Sequence, residues 1–282
     1  LSSVSLDTGH LGDDYALDAA GDAWISGAYQ DGQTFRLGLW KYSPQSNTVA
    51  LTASYAGGAG FDVGNGLALD ALGRIWVVGF SSNAAAAGPN KLDLALWRFS
   101  PSGAELEAGP FRLPGYGHDL DGEFNARVAV SPQAVVVAAT RLNAAGNNDL
   151  GLAAFDLSGG LLDEKAWHGA PGESEIPNAV AFGEDGSLWI GGGSGSQLAV
   201  WRYDDSRHFI SAQTLPNAGW ASGLVRTEVA TWLALQSSSV PVRFDGGSAL
   251  AGAEGLEDSS TVDSLPPRTT LSIGAPKLAG LP

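Results

Sequence analysis

The chain has no cysteine and no methionine among its 282 residues. Without cysteine there is no disulfide, no thiolate metal site and no cysteine nucleophile. The missing methionine, at position 1 as elsewhere, leads to the expectation that these residues are not a complete primary translation product. Charge is sparse and lopsided: 30 acids stand against 15 bases, a net charge of −15. Such a surface repels nucleic acid and anionic lipid, and it attracts cations. No apolar run approaches the length of a membrane span, so membrane insertion is not expected. No secretory signal is read within these residues, and the expectation leaves room for one removed or lying upstream. No window of a dozen residues combines a 3.6-residue apolar period with capping signals, so no helix of consequence is expected. Familiar catalytic signatures are missing too: there is no G-x-S-x-G elbow, no P-loop and no H-E-x-x-H.

What the chain does have is a repeat. An apolar strand pair recurs five times, most clearly as "GLALDALGRIWVVG" from Gly66 followed by "LDLALWRFSPSG" from Leu92. Its first landmark falls at Trp24, Trp76, Val136, Trp189 and Trp232, in steps of 52, 60, 53 and 43 residues. The second falls at Trp40, Trp97, Ala154, Trp201 and Val242. Constant strand cores with a drifting period are what variable loops on a fixed unit produce. Each copy holds four strand-like runs. In the second copy they are Asn65–Asp70, Arg74–Ser82, Leu92–Ser100 and Glu105–Leu113, separated by turn residues. The second strand of each copy is apolar on both faces, which requires cover from both sides. Neighbouring blades of a β-propeller give that cover.

The expected architecture is therefore all-β: a five-bladed β-propeller with four antiparallel strands per blade. The blades fall at about 15–56, 65–115, 126–169, 178–217 and 221–254. The fifth copy has a poor outer strand, so Val4–Asp7 in segment 1–9 is expected to supply it, closing the ring and removing two free sheet edges. Residues 1–254 then form the propeller. Residues 255–282 begin as an acidic, Ser-rich linker ending in Pro266 and Pro267, and continue into the start of a following module.

The repeat resembles the bacterial β-propeller repeat abbreviated SBBP. The carrying residues are Leu69–Asp70, Gly73, Ile75–Gly79, Asp93, Arg98–Phe99 and Gly103, with counterparts at Leu17–Asp18, Gly21, Trp24–Gly27 and Lys41–Tyr42. The fourth copy has Gly183 in place of the aspartate, and the third and fifth lose most of the pattern. The stretch "PPRTTL" from Pro266 is similar to the entry of immunoglobulin-like modules in large secreted bacterial proteins. These resemblances imply an extracellular, cell-surface or periplasmic setting, and further domains of the same polypeptide as partners.

Candidate functional residues lie between the blades. The connecting loops are rich in acids: Asp13, Asp14, Asp62, Asp119, Asp121, Glu123, Glu173 and Glu175. In a propeller these loops gather around one channel mouth. Asp62, Asp119, Asp121, Glu173 and Glu175 are the candidate metal ligands, for a weakly bound Ca²⁺ or no cofactor at all. The competing reading is that the acids cap turns. His10, His118 and His168 lie close by, on different blades and without metal spacing. The tryptophans inside strands read as core. Tyr116, Trp167 and Trp220 sit in loops and are the candidate ligand-binding aromatics, for a carbohydrate or protein ligand. The basic residues Lys41, Arg98, Arg202 and Arg243 read as inter-blade salt-bridge partners, for instance of Asp18 or Asp70.

The functional expectation is a non-catalytic recognition or scaffold module of a large secreted or surface protein. The alternative is a glycosidase or lyase using channel-mouth carboxylates. A plain structural spacer would leave the same sequence traces.

Overall fold

A computed structural model of the chain describes residues 10–57, 60–83, 92–114, 116, 125–170, 172–216, 219–226, 231–235 and 242–244. The expected closing strand Val4–Asp7, the outer strand of the last blade and the tail 255–282 lie outside these residues, as do His118, Asp119, Asp121 and Glu123.

The described residues form antiparallel sheets of consecutive strands, in chain order. Blade one holds β1 (His10–Leu17), β2 (Ala23–Asp31), β3 (Thr34–Ser43) and β4 (Thr48–Tyr55). Blade two holds β5 (Asp62–Leu69), β6 (Ile75–Ser82), β7 (Leu92–Phe99) and β8 (Leu106–Leu113). Blade three holds β9 (Ala126–Val130), β10 (Val135–Leu142), β11 (Asn148–Phe155) and β12 (Leu161–Trp167). Blade four holds β13 (Glu175–Phe182), β14 (Leu188–Ser194), β15 (Gln197–Tyr203) and β16 (Phe209–Leu215). The last sheet shows three strands, β17 (Ala221–Arg226), β18 (Thr231–Leu235) and β19 (Val242–Phe244). The first strand of each sheet packs on the first strand of the next, from β1 through β5, β9 and β13 to β17, as inner strands around a propeller channel do.

Short hairpins are built by one repeated device. Asp18 accepts the N–H groups of Ala20 and Asp22 with Oδ1, and Gly21 N–H returns to the Asp18 carbonyl. Asp70, Asp156 and Asn143 do the same at their own turns. The glycine three residues on takes a positive φ, which an L side chain resists: 83° at Gly21 and 76° at Gly73. The free oxygen of the aspartate then reaches the landmark tryptophan. Asp18 Oδ2 accepts Trp24 Nε1 at 3.1 Å, and Asp70 Oδ2 accepts Trp76 Nε1 at 3.2 Å. Where blade four has Gly183, Ser187 Oγ takes over and accepts Trp189 Nε1 at 2.9 Å. Trp24, Trp76 and Trp189, all fully buried, thus keep their indole N–H satisfied.

The core lies in seams between blades. Trp24, Leu37 and Leu39 pack on Leu67, Ile75, Val77 and Trp97 of the next blade. Trp76, Val78 and Phe80 pack on Val128, Val135, Val137 and Phe155. Val136, Ala138 and Leu150 pack on Leu188, Ile190 and Trp201, and Trp189 packs on Ala221 and Leu233. So the first landmark faces forward and the second faces back. That explains why β6, β11 and β14 are buried along nearly their whole length, while the outer strands β4, β8, β12 and β16 alternate with exposed residues.

Two sequence readings change. In blade three the second landmark is Ala153, not Ala154: Ala153 pairs with Val137, as Trp97 pairs with Val77, while Ala154 stands opposite Val136. And Lys41, Arg98 and Arg202 bind acids within their own blades, while the Arg243 side chain lies outside the described residues. Lys41 reaches Asp18 at 3.4 Å and Asp22 at 2.8 Å, Arg98 reaches Glu107 at 3.1 Å, and Arg202 reaches Asp185 at 3.5 Å. Asp70 is taken by Arg74 at 2.6 Å. Each base stands opposite the landmark tryptophan and lies over its ring, with Lys41 4.8 Å from Trp24, Arg98 5.5 Å from Trp76 and Arg202 4.8 Å from Trp189. Arg98 also reaches the next blade: its Nη1 donates to the Leu157 carbonyl at 2.6 Å.

Candidate functional site

The inner strands start earlier than the apolar pattern suggests. Asp13, Asp14, Asp62 and Glu175 belong to β1, β5 and β13 rather than to loops. The reason is a β-bulge that interrupts each strand. The register jumps between Gly12 and Asp14, between Gly64 and Gly66, between Pro177 and Ala179, and between Ala221 and Gly223. The extra residues are Asp13, Asn65, Asn178 and Ser222, at one level of four different blades. A bulge re-aims a side chain and sharpens local twist. It also pushes the inner strand's backbone over its neighbour. A methyl group on Gly79 would overlap the Val63 carbonyl, and one on Gly192 would overlap that of Ile176.

Blade three departs from this. Its strand β9 pairs with β10 without a bulge, and Ala139 occupies the place of Gly79 and Gly192. In register with Gly66 and Ala179 it carries Arg127. The guanidinium spans the gap: Nη1 donates to the Asn65 carbonyl at 2.7 Å and to the Ala126 carbonyl at 2.9 Å, and Nε donates to the Asn178 carbonyl at 2.8 Å. It therefore ties the bulges of blades two and four together.

Two carboxylates share this region. Asp14 Oδ2 accepts the Leu67 N–H at 2.9 Å, and Asn65 Nδ2 donates weakly to Asp13 Oδ2 at 3.5 Å. Burial raises the Asp13 carboxyl to about 6; the Arg127 charge opposes that rise and the Asp14 charge adds to it. Burial raises Asp14 as well, against Arg127 and the N–H groups of Leu67 and Tyr15. Asp13 nonetheless has an exposed surface. Both facts fit a carboxyl that touches water on one side with protein packed around the rest. Asn65 and Asn178 are more than nine-tenths buried, at 8% and 6% exposure, and Asn65 Oδ1 and Asn178 Nδ2 have no hydrogen-bond partner among the described residues.

The residues picked from the sequence stand elsewhere. Tyr116 is buried at 1% exposure, packs in the seam of blades two and three, and donates its hydroxyl to the Leu152 carbonyl at 3.4 Å. Its ring lies against Gly151, where a side chain would collide. Trp167 meets Trp201 edge-on at 5.7 Å and stacks on Phe209 at 6.2 Å. Trp220 is partly buried over Gly193, where an added Cβ would sit 2.6 Å from the indole, and donates to the Gly195 carbonyl at 3.0 Å.

Asp62 accepts from Ser81 Oγ and, at 2.6 Å, from Gly57 N–H. Burial raises its carboxyl against those bonds and the Arg112 charge. It borders a half-open cleft of about 170 Å³ lined also by Thr34, Phe35 and Arg36. Glu173 and Glu175 both lie 3.2 Å from Ser194 Oγ. Burial raises Glu175 too, opposed by Gly169 N–H and Ser194, and reinforced by Asp149 and Glu173. His168 Nδ1 lies 2.6 Å from Asp149 Oδ2. Among the described residues no three His, Asp or Glu side chains are grouped to hold a metal ion.

The comparisons follow the architecture. A nidogen/laminin complex structure matches at TM-score 0.53 and 11% identity, over 84% of this chain and 76% of that one. An α-L-arabinanase of Penicillium chrysogenum, complexed with arabinobiose, matches at TM-score 0.59 and 9% identity, over 87% and 81%. The fold is a β-propeller. A protein described as a putative gluconolactonase matches at TM-score 0.50 and 14% identity, over 82% and 73%. At these identities the propeller is alike in fold alone, and its neighbours include both a binding protein and enzymes. No family model matches the chain, and no curated protein matches it in sequence.

The bulge residues Asn65 and Asn178, and Arg127 beside them, were not singled out in the sequence. A signal was there: "LGDD", "VGNG" and "IPNA" share one register, each with a Gly late in the following strand at Gly27, Gly79 and Gly192.

Proposed function

We propose that the chain is a five-bladed propeller serving as a non-catalytic recognition module of a larger secreted or surface-displayed protein. The observation that carries this is the channel's own chemistry. Its carboxylates Asp13 and Asp14 are neighbours on one strand and face the Arg127 cation. Paired glycosidase acids instead face one another across about 5–10 Å, with one raised and one free to ionise. The described acids nearer the strand starts, Asp62, Glu173 and Glu175, accept hydrogen bonds inside their own blades.

Ring closure has support from Trp40. Its counterparts Trp97 and Trp201 face the preceding blade, and Trp40 is likewise buried at 2% exposure. In this reading the last blade covers Trp40, with Val4–Asp7 as that blade's outer strand. The linker and module expected over 255–282 make the propeller one unit of a longer chain.

A glycan array and a polysaccharide-hydrolysis screen on one purified sample test the proposal. Binding without product supports it. Product formation that disappears on Asp119→Asn or Asp121→Asn overturns it in favour of a glycosidase or lyase. Silence in both assays identifies a structural spacer. Running the same sample with millimolar Ca²⁺ against EDTA tests whether the acidic loops take a cation, because a bound ion raises Tm by mass action.

A further inference from the structure

We propose that the bulge ring in the channel is a binding site for an uncharged polyhydroxylated ligand, a free sugar or the terminal unit of a glycan, held by Asp13, Asn65 and Asn178 on a floor made by Arg127. This deepens the recognition reading above and rests on it.

Three observations converge. First, the site is assembled across blades. Asp13 comes from blade one, Asn65 from blade two, Arg127 from blade three and Asn178 from blade four. Hairpin turns and blade packing do not require polar residues at this level. Blade three holds its inner strand without a bulge at all.

Second, two buried polar atoms at this level lack partners. Asn65 Oδ1 and Asn178 Nδ2 lack partners although both side chains are more than nine-tenths buried. A buried amide atom without a partner is costly, and a ligand hydroxyl that bonds it removes that cost. The two residues are held close together, because the single Arg127 guanidinium bonds both of their carbonyls, at 2.7 and 2.8 Å. Asn65 in turn meets Asp13, which keeps an exposed surface.

Third, the charge pattern selects the class. An anion would confront Asp13 and Asp14. A cation would confront the Arg127 guanidinium, which lies close enough to oppose the rise of both carboxyls. A hydroxyl both donates and accepts. Adjacent hydroxyls can donate to Asp13 and to Asn65 Oδ1 while accepting from Asn178 Nδ2. No single charged group meets that mixed set. The raised Asp13 carboxyl fits the same picture: near neutral pH it is an unusually good acceptor, and below about 6 it becomes a donor to the same hydroxyl.

The test is calorimetric titration of the purified chain with a panel of neutral sugars and polyols: glucose, galactose, mannose, arabinose, xylose, fucose and myo-inositol. Glucuronate and glucosamine serve as the anionic and cationic comparisons. At least one neutral sugar is expected to bind saturably, with glucuronate and glucosamine at least tenfold weaker than their neutral parent. Asn65→Leu and Asn178→Leu should each weaken that binding at least tenfold, while Asn47→Ala, in an exposed turn of blade one, should leave it unchanged. Asn178→Ser is the second variant, smaller and still polar, should the leucine variants not fold; it should weaken binding several-fold. No saturable binding by any neutral sugar overturns the inference. Binding untouched by the Asn65 and Asn178 variants also overturns it, while leaving a recognition module that binds elsewhere. Turnover of the bound sugar's glycosides overturns the recognition reading itself.

Discussion

Replacing Asp13 with asparagine should stabilise the protein at neutral pH and do nothing in acid. The side chain keeps its shape and can still accept from Asn65 Nδ2, so what changes is the charge. In the folded chain burial raises this carboxyl from the ordinary 3.8 to about 6. A tenfold change in proton affinity is worth about 1.4 kcal/mol, so the whole rise corresponds to about 3 kcal/mol against the ionised form. Water reaches Asp13, and screening brings the figure to about 1 kcal/mol. The sign follows from linkage. Above pH 6 the carboxyl is ionised in both folded and unfolded chains, and the folded state carries the full cost. Below 3.8 it is protonated in both, and the cost is gone. Asp13→Asn should therefore gain about 1 kcal/mol at pH 7.5, or roughly 2–4 °C in Tm for a chain of this size. The gain should shrink through pH 6 and 5 and vanish by pH 4. Thermal melts of both proteins at those four values decide it. A gain that is the same at every pH, or a loss at pH 7.5, refutes the reasoning.

Other substitutions probe the remaining parts. Arg127→Met leaves the Asn65 and Asn178 carbonyls unbonded and strips the counter-charge from two carboxylates; a loss of about 3–5 kcal/mol by urea denaturation is expected, with Asp13 titrating higher than in the parent. Asp70→Ala removes the turn cap, the Trp76 acceptor and the Arg74 partner at once, and should cost about 2–3 kcal/mol, with a change in near-ultraviolet circular dichroism as the indole loses its bond. Gly79→Ala pushes a methyl group into the Val63 carbonyl and should cost about 1–3 kcal/mol, whereas Ala139→Gly at the matching place in unbulged blade three should cost no more than about 1 kcal/mol; equal losses from the two would sink the link between that glycine and the bulge.

The scaffold was legible because it is written in chemistry that repeats. Asp-x-x-Gly turns and both-face apolar strands report local geometry and inter-blade cover directly, and they placed four sheets in order. Trp76 and Trp97 read as core and are core, each with less than 1% of its surface exposed. The site was less legible for a definite reason. A bulge adds a residue and breaks alternation, so the polar starts of β1, β5 and β13 looked like loops. Asp13 and Asp14 were counted among loop acids, and Asn65 and Asn178, short and uncharged, were passed over. Arg127 could not stand out either, because its partners are backbone carbonyls, which leave no mark in a sequence. In the same way Tyr116 looked available beside glycines, yet one of the glycines it lies against, Gly151, comes from a strand well along the chain and serves as its resting place.

The seams between blades also bear on how such a chain acquires its shape. Each seam among the described residues joins two units that are consecutive in sequence, so its contacts form within a short stretch of chain and need no distant partner. A newly emerged blade finds a finished surface waiting from the blade before it, and assembly can run in one direction as the chain is delivered. The bond between Arg127 and Asn178 likewise joins the third blade to the fourth, through β13, the first strand of the fourth blade to be made. It can therefore form before Leu188, Ile190 and Trp201 arrive to complete the apolar seam beside it. Channel variants should accordingly slow folding more than they speed unfolding.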